Sequence, residues 1–475
     1  MELPKDFCTM MRQQHGDEVA ERLFEGLSAE ASVSIRLNTN KICHTHPSPR
    51  ENMAHVPWCP DAYYLDERPA FTFDPLFHAG AYYVQEASSM FLAEALRQHM
   101  PTDRPLVALD LCAAPGGKST LLRSQMPDKS LLVSNEPMRP RAQVLAENIT
   151  KWGHPNTVVT QNYPSDFVGF TDTFDLIVAD VPCSGEGMFR KDEEAIREWS
   201  LENVDKCWHL QREIVETIWP CLKPGGLMIY STCTFNRYED EENVSWIASA
   251  LGADILPVSL LPQWNVTEGT PGYHFYPGRT RGEGLYMAVL RKHGNVDETG
   301  QNEHDEALSA KVPTVKSKMR KHDKHGGKQT KDNTKTPAIV LPEGYTLKVD
   351  KDVCLAIPTL YDTLILRLRR MLHTLVAGVE VATLKGNDWV PSHALAMSTL
   401  LPRGTFPEYA LTHAEAISYL RREALRIEAP RGYVLVTYRN LPLGFVKSIG
   451  NRANNMYPQE WRIRTTYTTE QPDVL

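Results

Sequence analysis

Short apolar runs alternate with helical segments over residues 105–292, and this alternation constrains the fold more than any other feature of the chain. The runs lie at 107–111, 131–133, 157–159, 174–180, 227–231 and 284–290, with helical patterns near 117–126, 138–152, 192–219 and 238–251. Strands that are apolar throughout and joined by helices form a parallel sheet covered on both faces. The pattern therefore predicts a doubly wound, Rossmann-like α/β domain at 101–292.

The segments on either side of this domain have different patterns. Residues 1–100 predict a small α+β accessory domain, with an amphipathic helix at 6–27, a strand at 34–38 and a helix at 82–99. Residues 337–475 predict a mixed C-terminal region, with helices at 362–375 and 412–425. Two alternating runs at 432–438 and 443–447 predict a β-hairpin within a small barrel at about 400–470. Between these regions, 293–336 is polar and rich in lysine, which is typical of a flexible basic linker.

Charge is divided unevenly along the chain. The formal net charge of the 475 residues is −8, but residues 1–300 carry −15 and residues 301–475 carry +7. The average alone argues against a nucleic-acid partner. The division instead indicates that a polyanion would be held by the C-terminal part.

Several protein classes are excluded by simpler features. No uncharged apolar run of 18 residues occurs, so we expect no membrane span. The start of the chain lacks a basic region followed by an apolar one, so no signal peptide is predicted. The nine cysteines include no Cys-x-x-Cys pair, so a zinc ribbon or other metal site is not predicted. We expect reduced thiols, a cytoplasmic location and a monomer, since nothing in the sequence demands more.

The loop at 110–120 ends in Gly117-Lys118-Ser119, which imitates a phosphate-binding P-loop. A P-loop needs another glycine five residues before Gly117, and Cys112 stands there. Pro115 also removes a backbone donor from the loop. A small-residue loop along which a ligand's backbone can lie is the favoured interpretation, and a P-loop NTPase is the alternative. Glu136, directly after the next apolar run, fits a carboxylate that accepts both hydroxyls of a ribose.

Two cysteines follow two different strands. Cys183 lies in Asp180-Val181-Pro182-Cys183 and Cys233 lies in Ser231-Thr232-Cys233. If those strands are neighbours, both thiols face the crevice at the carboxyl edge of the sheet. Cys207 and Cys221 lie on helical segments and are expected in the core.

These motifs together resemble one family. The segments "LDLCAAPGGKST", "NEP", "ADVPCSGEGMFRKD" and "YSTCTFNRYEDEENV", with "SIRLNTNK", "YYVQEASSM" and "GEGLYMAVLRK", are similar to the RsmF/Sun (NSUN-type) family of RNA cytosine-5 methyltransferases. "LGFVKSIGNRANNMYP" is similar to the end of the bacterial type, which carries a C-terminal PUA-like RNA-binding domain. The resemblance implies S-adenosylmethionine as cofactor and 5-methylcytosine as product. It implies 16S ribosomal RNA as substrate, with transfer RNA as an alternative.

The resemblance also implies roles for individual residues. Cys233 corresponds to the nucleophile that adds to cytosine C6, Cys183 to the cysteine that assists product release, and Asp180 to a residue bonding cytosine N3. The cofactor-binding positions are the 112–118 loop, the ribose-binding acid and the region near the adenine: Cys112, Ala113, Ala114, Pro115, Gly116, Gly117, Lys118, Glu136, Asn162, Tyr163 and Asp180. The family position near adenine is usually acidic, and this chain has no acid at 162–163.

Contacts with RNA are predicted for four basic residues. Arg190, Lys191 and Arg237 directly follow the catalytic motifs, and Lys447 lies in the C-terminal hairpin, so we expect them near phosphates. Trp58, Tyr82 and Tyr83 could stack on bases, but core packing is expected for them. A non-catalytic RNA-binding protein is the remaining alternative, and the intact pair of cysteines disfavours it.

Overall fold

The first hundred residues form a small α+β unit. This computed structural model describes residues 2–42, 53–294, 336–337, 339–465 and 474–475. The elements of the N-terminal unit are α1 (Lys5–His15), α2 (Asp17–Ser28), β1 (Val33–Leu37), β2 (His55–Val56), β3 (Cys59–Leu65), α3 (Pro75–His78), β4 (Tyr82–Val84) and α4 (Leu92–His99). Its four strands pair in the order β2-β3-β1-β4.

Two predictions for this unit are corrected. The helix predicted at 6–27 is two helices, because Gly16 between them has φ +81°, which ends the first helix and redirects the chain. The helix predicted at 82–99 is wrong at its start. Residues Tyr82–Val84 form β4, paired with β1, and the α-helix begins only at Leu92.

The central domain is built on a mixed sheet whose middle is parallel. Its elements are β5 (Val107–Asp110), α5 (Gly117–Gln125), β6 (Leu131–Asn135), α6 (Arg139–Trp152), β7 (Thr157–Thr160), β8 (Phe174–Asp180), α7 (Glu193–Glu198), α8 (Leu201–Ile218), β9 (Leu222–Thr232), α9 (Asn243–Leu251), β10 (Ala253–Leu256), β11 (Thr267–Glu268), β12 (Tyr273–His274) and β13 (Tyr286–Lys292). Strands β7-β6-β5-β8-β9 are parallel, and β13 pairs antiparallel with β9. The predicted doubly wound domain is confirmed, with its last strand antiparallel.

The two faces of this sheet are covered by separate cores because successive strand residues point to opposite faces. Leu109, Ile177 and Met228 pack on one side with α8, α9 and part of the C-terminal region. Ala108 and Leu176 pack on the other side with α4, α5 and the N-terminal strands. The sheet is therefore buried on both faces, as its apolar strands predict.

The C-terminal region adds two four-stranded sheets and a further strand to the central sheet. Its elements are β14 (Tyr345–Asp350), β15 (Val353–Pro358), α10 (Asp362–Met371), β16 (Thr374–Ala377), β17 (Val379–Lys385), β18 (Asp388–Pro391), α11 (His393–Met397), β19 (Glu408–Ala410), α12 (His413–Leu420), β20 (Gly432–Tyr438), β21 (Leu441–Ser448) and β22 (Ala453–Asn455). The sheets have the orders β14-β15-β17-β18 and β19-β20-β21-β22, and β16 pairs with β7. The predicted hairpin is β20–β21. Most of the predicted linker, 295–335, lies outside the described residues.

Within the described part of the chain, no helix is long and apolar enough to cross a membrane.

Candidate functional site

Four parallel strands bring polar side chains to one edge of the central sheet. β5 ends at Asp110, β6 at Asn135, β8 at Asp180 and β9 at Thr232. Because the strands are parallel and adjacent, their carboxyl ends share one edge, where ligands of open α/β sheets bind. Asn135 ties the neighbouring strand ends together, since its amide donates to the backbone oxygens of Leu111 and Asn162.

The loop of small residues at 112–118 lies along this edge. The peptide between Ala114 and Pro115 is cis, and Gly116 has φ +115°, a conformation that favours glycine. Helix α6 fixes the loop from outside: Arg141 donates to the Ala114 oxygen at 3.0 Å, and Asn148 donates to the Pro115 oxygen at 2.8 Å. The loop leads into α5 at Gly117, so the start of that helix, whose first backbone N–H groups have no partner within the helix, lies directly after the loop.

Three acceptor atoms around this loop are buried without a hydrogen-bond partner: Asp110 Oδ1, Glu136 Oε2 and Asn162 Oδ1. Glu136 uses its other oxygen to cap Met138 N, and Arg141 lies 3.4 Å from the unbonded one. Buried polar atoms are normally paired, so these acceptors fit a ligand that carries hydroxyl and amine donors. S-adenosylmethionine has a ribose diol and amino groups and matches this donor set. The Tyr163 side chain is 63% exposed, so it can contact a ligand at this edge only from the solvent side.

Asp180 is held by two partners. Lys118 Nζ lies 2.8 Å from its Oδ2, and the Ser231 hydroxyl donates to its Oδ1 at 2.7 Å. Burial opposes the charge of Lys118, but the attraction of Asp180 prevails and the pKa of Lys118 is raised above its usual value. Lys118, which the sequence analysis lists among the cofactor-binding positions, is therefore fixed against the carboxylate of Asp180.

The thiols of Cys183 and Cys233 meet at the ends of β8 and β9, with 2.8 Å between their sulfur atoms. The hydrogen bond to Cys233, together with burial, raises the pKa of the Cys183 thiol. The Cys183 thiol is therefore harder to deprotonate than an exposed thiol, and either sulfur can donate in the contact between the two. The expectation that two strand-end cysteines face one crevice holds because β8 and β9 are paired neighbours.

Two buried glutamates cross-link the loops that carry these cysteines, and the sequence analysis missed both. Glu186, from the Cys183 loop, accepts from Phe235 N at 2.6 Å and from the Asn236 amide at 2.9 Å. Glu239, from the Cys233 side, accepts from Ser184 N at 3.0 Å. Their positions close after each cysteine were visible in the sequence, but the reciprocal pairing depends on the adjacency of the strands.

The predicted RNA contacts divide into two groups. The prediction that Arg190 contacts a phosphate is wrong. Its guanidinium group is buried, pairs with Glu283 at 2.9 Å and donates to the backbone oxygens of Gly26 and Gly282. Arg190 therefore holds parts of the protein together and is not available to a phosphate. Lys191, Arg237 and Lys447 are exposed, as phosphate contact requires.

Core packing was predicted for three aromatic residues and for two cysteines on helical segments. Trp58 and Tyr82 are buried, as expected, and Trp58 donates its indole N–H to the Ala87 oxygen. Tyr83 is partly exposed beside the 112–118 loop, with its hydroxyl accepting from Asn148. Cys221 is buried in the core, whereas Cys207 is only partly buried.

A Rossmann-like sheet and a small-residue loop with unpaired acceptors around it define the class, an α/β methyltransferase that uses S-adenosylmethionine. Three family models match consecutive parts of the chain. They are the N-terminal domain of 16S rRNA methyltransferase RsmF at 3–87, 16S rRNA methyltransferase RsmB/F at 99–291, and the methyltransferase RsmF PUA domain at 406–463.

Full-length relatives agree with these matches. The chain is 30% identical to ribosomal RNA small subunit methyltransferase F of Enterobacter sp. (strain 638), over 96% of this chain and 95% of that protein. It is also 30% identical to the protein of the same name from Escherichia coli O9:H4 (strain HS), over 96% of each chain. The chain belongs to this family, the RsmF-type 16S rRNA methyltransferases, which confirms the predicted family and its S-adenosylmethionine-dependent rRNA cytosine-C5 methyltransferase class.

Solved structures support the fold. A methyltransferase homolog protein from Pyrococcus horikoshii is similar with TM-score 0.50 and 25% identity, over 61% of this chain and 95% of that one. NSun6 from Pyrococcus horikoshii, solved with SFG, is similar with TM-score 0.51 and 19% identity, over 62% of this chain and 99% of that one. The P-loop NTPase and the non-catalytic alternatives are not favoured by any of these findings.

Proposed function

We propose that this protein methylates cytosine C5 in small-subunit ribosomal RNA, with Cys233 as nucleophile and Cys183 as the residue that completes the reaction. The observation that carries the proposal is the pair of sulfur atoms, 2.8 Å apart, beside a loop suited to the cofactor. In this proposal a single chain is the catalytic unit. The reaction requires no metal, and its substrate places the protein in the cytoplasm.

Covalent addition is what the nucleophile contributes. Cytosine C5 is a poor nucleophile, and addition of the Cys233 thiolate at C6 makes an enamine-like ring whose C5 can attack a methyl group. When bound, S-adenosylmethionine supplies that methyl group as an electrophile. Lys118 and Ser231 fix Asp180, and a proton shared between its carboxyl group and cytosine N3 would stabilise the negative charge that develops on the ring.

The second cysteine acts after transfer. The C5 proton must leave so that the electron pair of the C–H bond forms the C5–C6 double bond and the C6–S bond breaks, releasing Cys233. Cys183 lies beside that sulfur and assists as general base, directly or through water. The target base must leave its stack to reach the crevice, and we expect exposed Lys191, Arg237 and Lys447 to contact phosphates around it.

The cofactor is held by the residues around the loop. In this proposal the 112–118 segment lies along its methionine part, and Glu136 accepts its ribose hydroxyls. Asn162 lies near the adenine, where its unpaired oxygen can accept from the adenine amino group. In this proposal the amide oxygen of Asn162 accepts the hydrogen bond that an acidic side chain accepts in most members of the family.

Cys233→Ala and Cys183→Ala should fail at different steps. We expect Cys233→Ala to bind S-adenosylmethionine but to transfer no tritiated methyl group to ribosomal RNA. Cys183→Ala should instead accumulate a covalent RNA–protein adduct, visible as a retarded band on a denaturing gel. Cys207→Ala, at a partly buried helical cysteine outside the site, is the matched control and should retain activity.

Activity retained by Cys233→Ala would refute its role as nucleophile, and absence of an adduct in Cys183→Ala would refute the release role. Bisulfite mapping of RNA from cells with and without the protein identifies the substrate. A 5-methylcytosine lost from 16S rRNA supports the proposal, whereas a loss confined to transfer RNA contradicts it.

A further inference from the structure

Behind the nucleophile lies a buried cluster of three potential metal ligands: Asp240, Glu241 and His274. The two acids lie on a single π-helical turn, Tyr238–Glu242, and the histidine ends β12. One ligand atom from each residue lies within 4.8 Å of the other two. His274 Nε2 is 2.9 Å from Glu241 Oε1, and His274 Nδ1 is 3.9 Å from Asp240 Oδ2. π-turns of this kind are rare and frequently occur at functional sites.

Each of the three side chains also has an unpaired atom. Asp240 Oδ2, Glu241 Oε2 and His274 Nδ1 are buried and make no hydrogen bond, and His274 is only 1% exposed. Buried polar atoms without partners are destabilising and uncommon. Three such atoms in one cluster indicate that a partner belongs there.

The charge of the region points to the nature of that partner. Glu186, Glu239, Asp240 and Glu241 are all buried; the last three are consecutive, and the Asn236 amide donates to both Glu186 and Glu239. Among the ion pairs of the described residues, Asp240 and Glu241 have only His274 as a possible cationic partner. Isolated buried carboxylates are costly unless they are paired or coordinate a metal. A cation would both compensate the charge and use the free lone pairs.

We propose that Asp240, Glu241 and His274 bind a divalent transition-metal ion of the Zn²⁺ or Mn²⁺ type. Two carboxylates and one imidazole form a nitrogen–oxygen donor set that suits these ions. The sequence analysis predicts no metal, because His274 is far from the two acids in the chain and no ligand-spacing motif connects them. The ion would be structural, because the proposed methyl transfer has no step that needs it.

The site is connected to the nucleophile through the other oxygen of Asp240. Its Oδ1 accepts from the hydroxyls of Thr232 at 2.5 Å and Thr234 at 3.1 Å, the two residues that flank Cys233. An ion on Oδ2 would fix the carboxylate that holds both neighbours of Cys233. Asp240 is therefore a positioning residue, and metal binding would rigidify the loop that carries the thiol.

The test uses the full-length chain, purified without an affinity tag that binds metal. We expect elemental analysis to find about one zinc or manganese ion per chain. Removing it with a chelator should lower the melting temperature, and adding back Zn²⁺ or Mn²⁺ should restore it. Asp240→Asn and His274→Gln keep similar volumes and should weaken metal binding about tenfold or more. His293→Gln, in the exposed His293–Asp254 pair, is the matched control and should bind metal as the unaltered chain does.

Two results would overturn the proposal. One is an unaltered chain that is metal-free and whose melting temperature does not respond to a tenfold excess of either ion, which would mean that protons neutralise the cluster. The other is metal binding that persists unchanged in both ligand variants, which would place the ion elsewhere. If the variants do not fold, the chelation and reloading of the unaltered chain still decide between the outcomes.

Discussion

Asp110 shows how much a single side chain at the strand edge can depend on its surroundings. Its carboxyl is completely buried, and burial raises its pKa to about 7, although the Ser119 hydroxyl donates to one oxygen at 2.6 Å. Between about pH 3.8 and pH 7 the folded protein holds a proton that the unfolded chain, with a pKa near 3.8, has lost. The folded state is therefore favoured by this group at low pH, and the advantage disappears as the pH rises through about 7.

Asp110→Asn removes this titration while keeping the shape of the side chain. We expect the free energy of unfolding of the unaltered protein to fall relative to that of the variant between about pH 4 and pH 7. A shift of about three pKa units corresponds to roughly 4 kcal/mol as an upper bound. Urea unfolding at pH 5 and pH 8 without cofactor measures the difference. A gap between the two proteins that is constant with pH would contradict the assignment.

At the residue scale, the sequence predicts chemistry better than it predicts contacts. The proximity of Cys183 and Cys233 is predicted from their strand-end positions on the condition that the two strands are neighbours, which the β8–β9 pairing meets. Arg190 follows the Cys183 motif in the sequence but is buried against Glu283, and no local pattern reveals a partner so far along the chain. Asp240 likewise reads as one acid in an acidic run, although its side chain is fully buried.

The elements around the thiols form a reciprocal brace. Glu186 reaches from the Cys183 loop to Phe235 and Asn236, while Glu239 reaches back from the start of the π-turn to Ser184. Gly187 N also donates to the Cys233 oxygen at 2.7 Å. These bonds set the distance between the two sulfur atoms, so both loops must keep their conformation for the thiols to cooperate.

Glu186→Gln tests the brace without changing side-chain volume. The amide replaces one acceptor oxygen by a donor. This leaves a buried N–H group of the partner loop or of Trp199 without an acceptor, which costs about 1–3 kcal/mol of folding free energy. We expect methyl transfer to fall about tenfold or more while the dissociation constant of S-adenosylmethionine is unchanged. Glu193→Gln, at the exposed start of α7, is the control and should be indistinguishable from the unaltered enzyme. Equal activities in the two variants would show that the brace does not position the thiols.

Element boundaries were predictable where local signals are strong and were wrong where tertiary contacts decide. Helix α6 matches its predicted range closely, since Gly153 with φ +84° ends it. The segment at 82–84 has the aromatic character of a strand, yet the apolar spacing of 82–99 suggested one helix. Pairing with β1, a contact outside the segment, gives it the extended conformation.

The whole molecule is more integrated than the sequence suggests. A basic linker followed by a compact region predicts a tethered RNA-binding module. Instead, β16 extends the central sheet beside β7, and the C-terminal residues Leu355 to Ala377 contribute to the core on one face of that sheet. The N-terminal strand β1 shares another core with α12 and β20, so the two ends of the chain pack together. Such contacts between distant segments leave no periodic signal in either segment.

This integration changes the meaning of the charge division. In the described residues 339–465, the C-terminal region packs against the central domain, so basic side chains on this part of the chain lie in a fixed relation to the strand-end site. Exposed Lys447 lies over the Tyr433 ring on the β20–β21 hairpin, where a cation and an aromatic surface together suit RNA.

A split chain tests this integration directly. We expect that a protease site inserted between residues 310 and 330, when cut in the purified protein, will leave the two fragments bound to each other. The β7–β16 pairing and the shared cores bury apolar surface that separation would expose, as in an obligate interface. Size-exclusion chromatography in 0.5 M salt should give one peak containing both fragments, with methyl transfer retained. Uncut protein is the control for the elution position and for methyltransferase activity. Separation into two soluble, monomeric fragments would instead show that the C-terminal region is a tethered module.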